Sequence, residues 1–328
     1  MLRFREFEEP SRRRSRWQLA LSEMQRHRPD VVCLQELNPL SEKLSELVAA
    51  LDGVATGCVD QGGVRLFSHG LPQNLVTGLG ILLREAARPV KDLKWPIPKN
   101  LQLSGAPFMS GESFSFHFNE IRRAQLEMIE TARLGRVLIV NTHLHHGFER
   151  FAALCELVES YVSEGRISQE TAEQLGLAMD QSRDRRLHEV DRLLEAVTQA
   201  ERHCDGVLLA GDLNSPPEGL AVCALFQEGF RDLAEVAIQP DVGPTWDPVT
   251  NIENHDLQES FKFPLPTMGN PELQRLYRDF DRLPRRIDYV LGRGSVVTER
   301  PTRATRVGLA QGTGLVPSDH YGVMVEWN

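Results

Sequence analysis

The chain has no run of 18 apolar residues, so no segment reads as a membrane-spanning helix. Its five cysteines, Cys33, Cys58, Cys155, Cys204 and Cys223, show no Cys-x-x-Cys or Cys-x-His spacing. That speaks against a thiolate metal site and, with an odd count, against a disulfide framework. The thiols read as reduced, most of them in the core, which points to the cytoplasm. An excess of positive charge is also missing: 37 basic residues against 46 acidic leave a net charge of −9. This argues against a cation-coated protein built for bulk nucleic-acid binding, though it leaves room for a local basic groove. The opening stretch MLRFREFEEPSRRRSRW is basic but lacks the apolar segment of a secretory signal. No Gly-x-Ser-x-Gly elbow occurs, which disfavours a serine α/β hydrolase. Internal repeats and low-complexity tracts are absent.

What is present is an ordinary globular composition, 41% apolar and 25% charged over 328 residues. Trp17, Ala20, Leu21 and Met24 recur at helical spacing, and Pro29 stops that helix. Short apolar runs at Val31 to Leu34, Gly78 to Leu83, Arg136 to Leu144 and Val207 to Leu213 read as strands, with closing strands at Ile287 to Leu291 and Val323 to Trp327. Leu187, Val190, Leu194 and Val197 share one helix face between two of them. Strands and helices mix with few βαβ repeats, which favours two packed sheets flanked by helices. Two segments stand apart. Residues 147–182 read as an inserted helical hairpin: one helix carrying Phe151, Leu154, Val158 and Tyr161, then Gly165, then a short second helix from about Ser168. Residues 240–286 read as a long irregular loop that interleaves Trp246, Phe261, Phe263, Tyr277 and Phe280 with Arg275, Arg278, Arg282, Arg285 and Arg286.

The chemistry gathers at strand ends. Val207-Leu208-Leu209-Ala210 runs into Gly211-Asp212-Leu213-Asn214-Ser215-Pro216-Pro217, placing a carboxylate and a carboxamide two residues apart on one pleat face. Such oxygen donors suit a hard metal and a phosphate. The segment PDVVCLQE ends in Glu36, and VNTHL delivers His143. The segments RIDYVL and SDHYGV deliver Asp288, Asp319 and His320. Each has a plainer reading. Glu36 could be a solvated strand end, His143 part of a loop cluster with His145 and His146, and Ser318-Asp319-His320 a turn. Asp288 is harder to dismiss, because an acid inside an apolar strand is costly to bury without a partner. Arg123 could contact phosphate, but reads better as an exposed strand charge.

Together, in this order and spacing, these motifs resemble the endonuclease/exonuclease/phosphatase (deoxyribonuclease-I-like) superfamily over about residues 15–327. The resemblance implies an α/β (α+β) four-layer sandwich: one domain over 1–328 carrying the 147–182 insertion and the 240–286 loop. It implies a Mg²⁺- or Mn²⁺-dependent phosphoester hydrolase, most simply a phosphodiesterase, using in-line attack of water. Its substrate would be a nucleic acid, a nucleotide or a phospholipid headgroup. The alternative is a non-catalytic or weakly active binding member of the same fold. By resemblance, Glu36 and Asp319 bind the metal. Asp288 orients His320, which activates or positions water. Asp212 and Asn214 position the nucleophile and phosphate, and His143 stabilises phosphate charge or protonates the leaving oxygen. The chain departs from the pattern at its start. Members open with a strand ending in Asn, whereas the matching segment Leu2 to Phe7 is followed by Glu8 and Glu9, and no Asn precedes Asn38. Either the first strand begins upstream or the site differs. Ser215-Pro216-Pro217 also departs from inositol 5-phosphatases, while Thr245-Trp246-Asp247 with Asn251 resembles phosphodiesterase members.

Overall fold

The computed structural model describes residues 10–61, 77–90, 96–104, 121–251, 270–309 and 314–327. Its elements run α1 (Pro10–His27), β1 (Val31–Leu37), α2 (Leu40–Leu51), β2 (Val54–Gln61), β3 (Thr77–Leu83), β4 (Arg88–Pro89), β5 (Asn100–Ser104), β6 (Arg122–Thr131), β7 (Gly135–His143), α3 (Ala152–Ser163) and α4 (Gln169–Ala200). There follow β8 (Gly206–Asp212), α5 (Leu220–Gln227), β9 (Arg231–Asp232), α6 (Leu233–Val236), β10 (Gln239–Asp241), α7 (Pro271–Asp281), β11 (Asp288–Gly294), α8 (Ser295–Thr298), β12 (Arg303–Val307) and β13 (Gly322–Glu326). No helix among the described residues is long and apolar enough to cross a membrane.

The described strands form three sheets. The large one has the order β4-β6-β7-β8-β11-β9, with β5 on β6; the small ones are β1-β3-β2 and β10-β12-β13. In β7 the run Val137-Leu138-Ile139-Val140 is buried throughout, because alternate side chains enter different cores. Leu138 and Val140 meet Val190, Leu193 and Val197 of α4 and Val222 of α5. Val137 and Ile139 meet Ile81 and Leu83 of β3 across the sheet–sheet interface. Trp327, just past β13, joins that second cluster, so both small sheets lie on the same side. Trp17, Ala20 and Leu21 of α1 and Leu40, Leu47 and Leu51 of α2 cover the outer face of β1 and β3 through Val32, Leu37 and Leu82. The layers are therefore helix, sheet, sheet, helix: the four-layer α/β sandwich expected from the residue pattern.

Two expectations are corrected. The helix after Ser168 is not short. It continues without a break to Ala200, 32 residues in all, and absorbs the helix expected around Leu187. The Ser168 hydroxyl caps its start by accepting from the Thr171 amide. Gly176 does not end it; there the backbone approaches Arg150 so closely that a Cβ would lie 2.4 Å from its guanidinium. Nor is 240–286 irregular throughout. Asn270 caps α7 with its side-chain oxygen, Pro271 pre-sets the first turn, and Leu273, Leu276, Tyr277 and Phe280 form one buried face. Residues 252–269, with Phe261 and Phe263, and the segment Leu2 to Phe7 lie outside the described residues.

The two segments that stand apart in sequence pack on each other. Leu154 and Tyr161 of α3, Leu175 and Met179 of α4, and the buried face of α7 make an apolar cluster separate from the sandwich cores. The Tyr161 hydroxyl donates to Asp279, and Arg166 pairs with Glu272 at 2.7 Å.

Candidate active site

Three neighbouring strands bring three candidate residues level. β7 and β8 run parallel with His143 opposite Asp212. β8 and β11 run antiparallel with Asp212 opposite Asp288. Adjacent strands lie about 4.8 Å apart, so these side chains occupy one end of the large sheet within roughly 10 Å. At Gly211 the two parallel strands approach so closely that a Cβ would lie 1.9 Å from the Thr142 carbonyl, which is why the residue before Asp212 has no side chain.

His320 arrives from the loop before β13. Its Nδ1 lies 2.8 Å from Asp288 Oδ2, with both groups buried. Ligand atoms of Asp212, Asp288 and His320 all lie within 4.8 Å of one another. On the other side, His143 Nε2 lies 3.7 Å from Asp212 Oδ2. The backbone N–H of Asn214 donates to Asp212 Oδ1 at 2.8 Å, and its carboxamide donates to the Leu144 carbonyl at 3.0 Å. Asn214 has φ 49°, a left-handed conformation that Asn tolerates well.

Asp319, beside His320, is buried, and its charge favours the imidazolium. Glu36 sits in a register irregularity of β1 at φ 55°, which is costly for a long side chain. Its neighbour Gln35 donates to Asn141 Oδ1 at 2.7 Å, and Asn141 donates back to the Leu34 carbonyl at 3.1 Å. This tie sets the end of β1 beside the end of β7. Among the described residues the donor cluster is Asp212, Asp288 and His320, and Glu36 is not part of it. Arg123 is only partly buried; its neighbour Arg122 is the buried cation, reaching the His143 carbonyl and His146.

Burial and neighbouring charge divide the ionisation. Asp212 is pushed up to about 7 by burial, with the Asp288 charge adding to the rise. Burial also opposes ionisation of Asp288, but the His320 charge and hydrogen bond outweigh it and hold the carboxyl below its ordinary value. For His320 burial disfavours the cation, and the Asp288 charge and hydrogen bond outweigh it, so its pKa is raised. Among the described residues, Asp212 Oδ2 is buried without a hydrogen-bond donor. An orphan carboxylate oxygen beside a second carboxylate and an imidazole is a donor set that fits a hard divalent cation.

Several supporting residues were not assigned roles from sequence. Thr245 Oγ1 accepts the amides of Ile287 and Asp288, each at 3.1 Å, which sets the start of β11. Trp246 packs against the His320 ring at 5.0 Å and 73°, and its Nε1 donates to the Asp281 carbonyl at 2.8 Å. Asn251 donates to the Ser318 carbonyl at 3.0 Å, holding the loop that carries Asp319 and His320. Only the Thr-Trp-Asp motif with its following Asn carried a signal for them. A groove lined by Arg136, Arg202, His203 and Asp205 lies at the opposite ends of β7 and β8, away from this chemistry.

The model of the endonuclease/exonuclease/phosphatase family matches residues 5–320. The chain belongs to this family, whose members are generally metal-dependent phosphoester hydrolases. Similar solved structures show the same fold. A functionally unknown conserved protein from Enterococcus faecalis has TM-score 0.55 and 17% identity, covering 95% of this chain and 90% of that one. Truncated TDP2 from Caenorhabditis elegans has TM-score 0.54 and 15% identity, covering 97% and 92%. A mannosyl-6-phosphatase from Bacteroides thetaiotaomicron has TM-score 0.52 and 15% identity, covering 95% and 90%. A search of curated proteins gives no match.

Proposed function

We propose that this protein is a Mg²⁺- or Mn²⁺-dependent phosphodiesterase, one domain acting in the cytoplasm. The observation that carries the reading is the level row of His143, Asp212 and Asp288 completed by the 2.8 Å contact from Asp288 to His320. The Asp288 oxygen accepts from His320 Nδ1–H, which leaves Nε2 to accept a proton from attacking water. Asp212 and Asn214 orient the nucleophile and the phosphate. His143 lies on the far side of Asp212 from His320, where it stabilises phosphate charge or returns a proton to the leaving oxygen. Glu36 and Asp319 would hold the cation, with the buried Asp212 Oδ2 as a further donor. When bound, the cation supplies neutralisation of charge on a phosphate oxygen. The helical cluster of α3, the start of α4, and α7 follows the end of β7 and precedes the start of β11, so it borders the site and selects the substrate.

A panel of single-stranded RNA, abasic DNA, sphingomyelin, inositol phosphates, nucleotides and bis-p-nitrophenyl phosphate, each with Mg²⁺ and Mn²⁺, tests the reading. Metal-dependent cleavage of a diester in preference to monoesters is the expected result. Cleavage of monoesters alone would replace it with a phosphatase, the activity named for the Bacteroides thetaiotaomicron neighbour. Ligand binding without turnover would favour a binding member of the fold.

A further inference from the structure

The buried stripe of α4 changes character along its length. Val190, Leu193 and Val197 pack on the large sheet as an apolar face should. One turn earlier the same stripe is Ser182, Arg185, Arg186 and Glu189, all buried. Burying charge is costly unless each group is paired and hydrogen-bonded, and a helix needed only for packing would keep the stripe apolar. The polar part faces the two loops that leave the chemistry-bearing ends of β7 and β8.

The contacts are specific. Arg186 donates to Glu149 Oε2 from Nε at 3.1 Å and from Nη2 at 2.8 Å. Its Nη1 donates to the His145 carbonyl at 2.9 Å and also to the Gly147 carbonyl. The other oxygen of Glu149 accepts from the Ser215 hydroxyl at 2.9 Å. The loops come close enough to this pair to demand glycine: a Cβ at Gly219 would lie 2.0 Å from Ser215 Oγ and 2.1 Å from Glu149 Oε1. The 145–149 loop begins two residues after His143, and Ser215 directly follows Asn214.

We propose that Glu149 and Arg186 are positioning residues for phosphoester hydrolysis: the buried pair locks the loop after His143 to the loop after Asn214, and so sets the approach of His143 to Asp212. The proposal rests on the phosphodiesterase reading above. Neither residue touches the reacting atoms. Their effect passes through the two loops, so loss of the pair lowers kcat while metal binding at Glu36 and Asp319 is untouched.

The test compares Glu149→Gln and Arg186→Lys, which keep size and remove the charged fork, with Val190→Ala, which weakens the apolar half of α4. Hydrolysis of bis-p-nitrophenyl phosphate, half-saturating Mg²⁺ and melting temperature are measured for each. The expected result is a kcat at least tenfold lower for Glu149→Gln and Arg186→Lys, with half-saturating Mg²⁺ within twofold of wild type. Val190→Ala should lose melting temperature and keep kcat. Wild-type kcat in both polar variants would overturn the proposal. If neither folds, Ser215→Ala removes one bond and no charge; a kcat threefold or more below wild type supports the proposal, and an unchanged kcat overturns it. If the wild type hydrolyses nothing, the functional reading has failed. The ¹⁵N–¹H signals of the His143 ring then decide the positioning claim on their own: shifted in Glu149→Gln as expected, or unmoved, which overturns it.

Discussion

Replacing His320 by Ala removes the group proposed to accept the water proton and leaves Asp288 buried without its 2.8 Å partner. A positioned acid–base group is worth about 10²–10⁴ in rate, or about 3–5 kcal/mol of transition-state stabilisation. His320→Ala should therefore lower kcat/KM at least about 10²-fold, with half-saturating Mg²⁺ little changed. Asp288→Asn should cost a similar factor, because the imidazole loses both its orientation and the charge that outweighs burial. The double variant should fall well short of the product, since the two act as a unit. The pH profile gives an independent reading. Only neutral His320 accepts a proton, so the rate rises as pH passes its pKa, which lies above the ordinary 6.5. In Asp288→Asn the largest opposition to burial is gone and only the lesser contributions of the Asp212 and Asp319 charges remain, so the inflection moves to lower pH. Stability follows the same shifts. The lowered Asp288 pKa stabilises the fold above the ordinary carboxylate range, and this is lost as pH falls through it. The raised His320 pKa stabilises below about 6.5, and this is lost as pH rises through it. The pair is worth most between about pH 4 and 6.5. Turnover of His320→Ala within threefold of wild type, or an unmoved inflection in Asp288→Asn, would refute this assignment.

Other outcomes follow from the same geometry. Glu36→Asn should raise half-saturating Mg²⁺ tenfold or more while the urea midpoint holds or rises, because Asn accepts the left-handed backbone at φ 55° more easily than Glu; unchanged metal affinity would remove Glu36 from the metal site. Trp246→Phe should keep most turnover by retaining a ring against His320, whereas Trp246→Ala should lose at least tenfold and about 3–5 kcal/mol of stability. Equal kcat in the two would show that the ring does not position His320. Cys33 is half-buried and packs against the inter-sheet core, and loss of solvent there pushes its thiol up to about 12. Its alkylation by iodoacetamide at pH 8.5 should therefore be about 10³-fold slower folded than in urea, and comparable rates would contradict that packing.

The site-bearing strand ends were legible because the runs at Val31, Arg136 and Val207 stop at an acid, amide or imidazole, and runs buried on both faces carry little else. How the strands pair was not: nothing in VNTHL or RIDYVL states that β7 runs parallel to β8 and β11 antiparallel to it, although that pairing levels His143, Asp212 and Asp288. The helix α7 was hidden inside a stretch rich in Pro, Asn and Asp, although Asn270-Pro271 is a helix start and Leu273, Leu276, Tyr277 and Phe280 repeat at helical spacing. The short helix expected from about Ser168 and the helix expected around Leu187 are one, and the charges Arg185, Arg186 and Glu189 interrupt the apolar stripe that would have joined them. Arg186 is buried against Glu149, which Ser215 also holds, and Glu189 against Ser104 and the His145 amide, partners that sequence places far from them.

The most direct test of the central claim is turnover of a phosphodiester by metal-stripped protein before and after Mg²⁺ or Mn²⁺ is added, beside His320→Ala under the same conditions. The account predicts no cleavage in EDTA, recovery on adding either ion, and at least about 10²-fold less in the variant. Cleavage that persists in EDTA, or equal cleavage by wild type and His320→Ala, would contradict it.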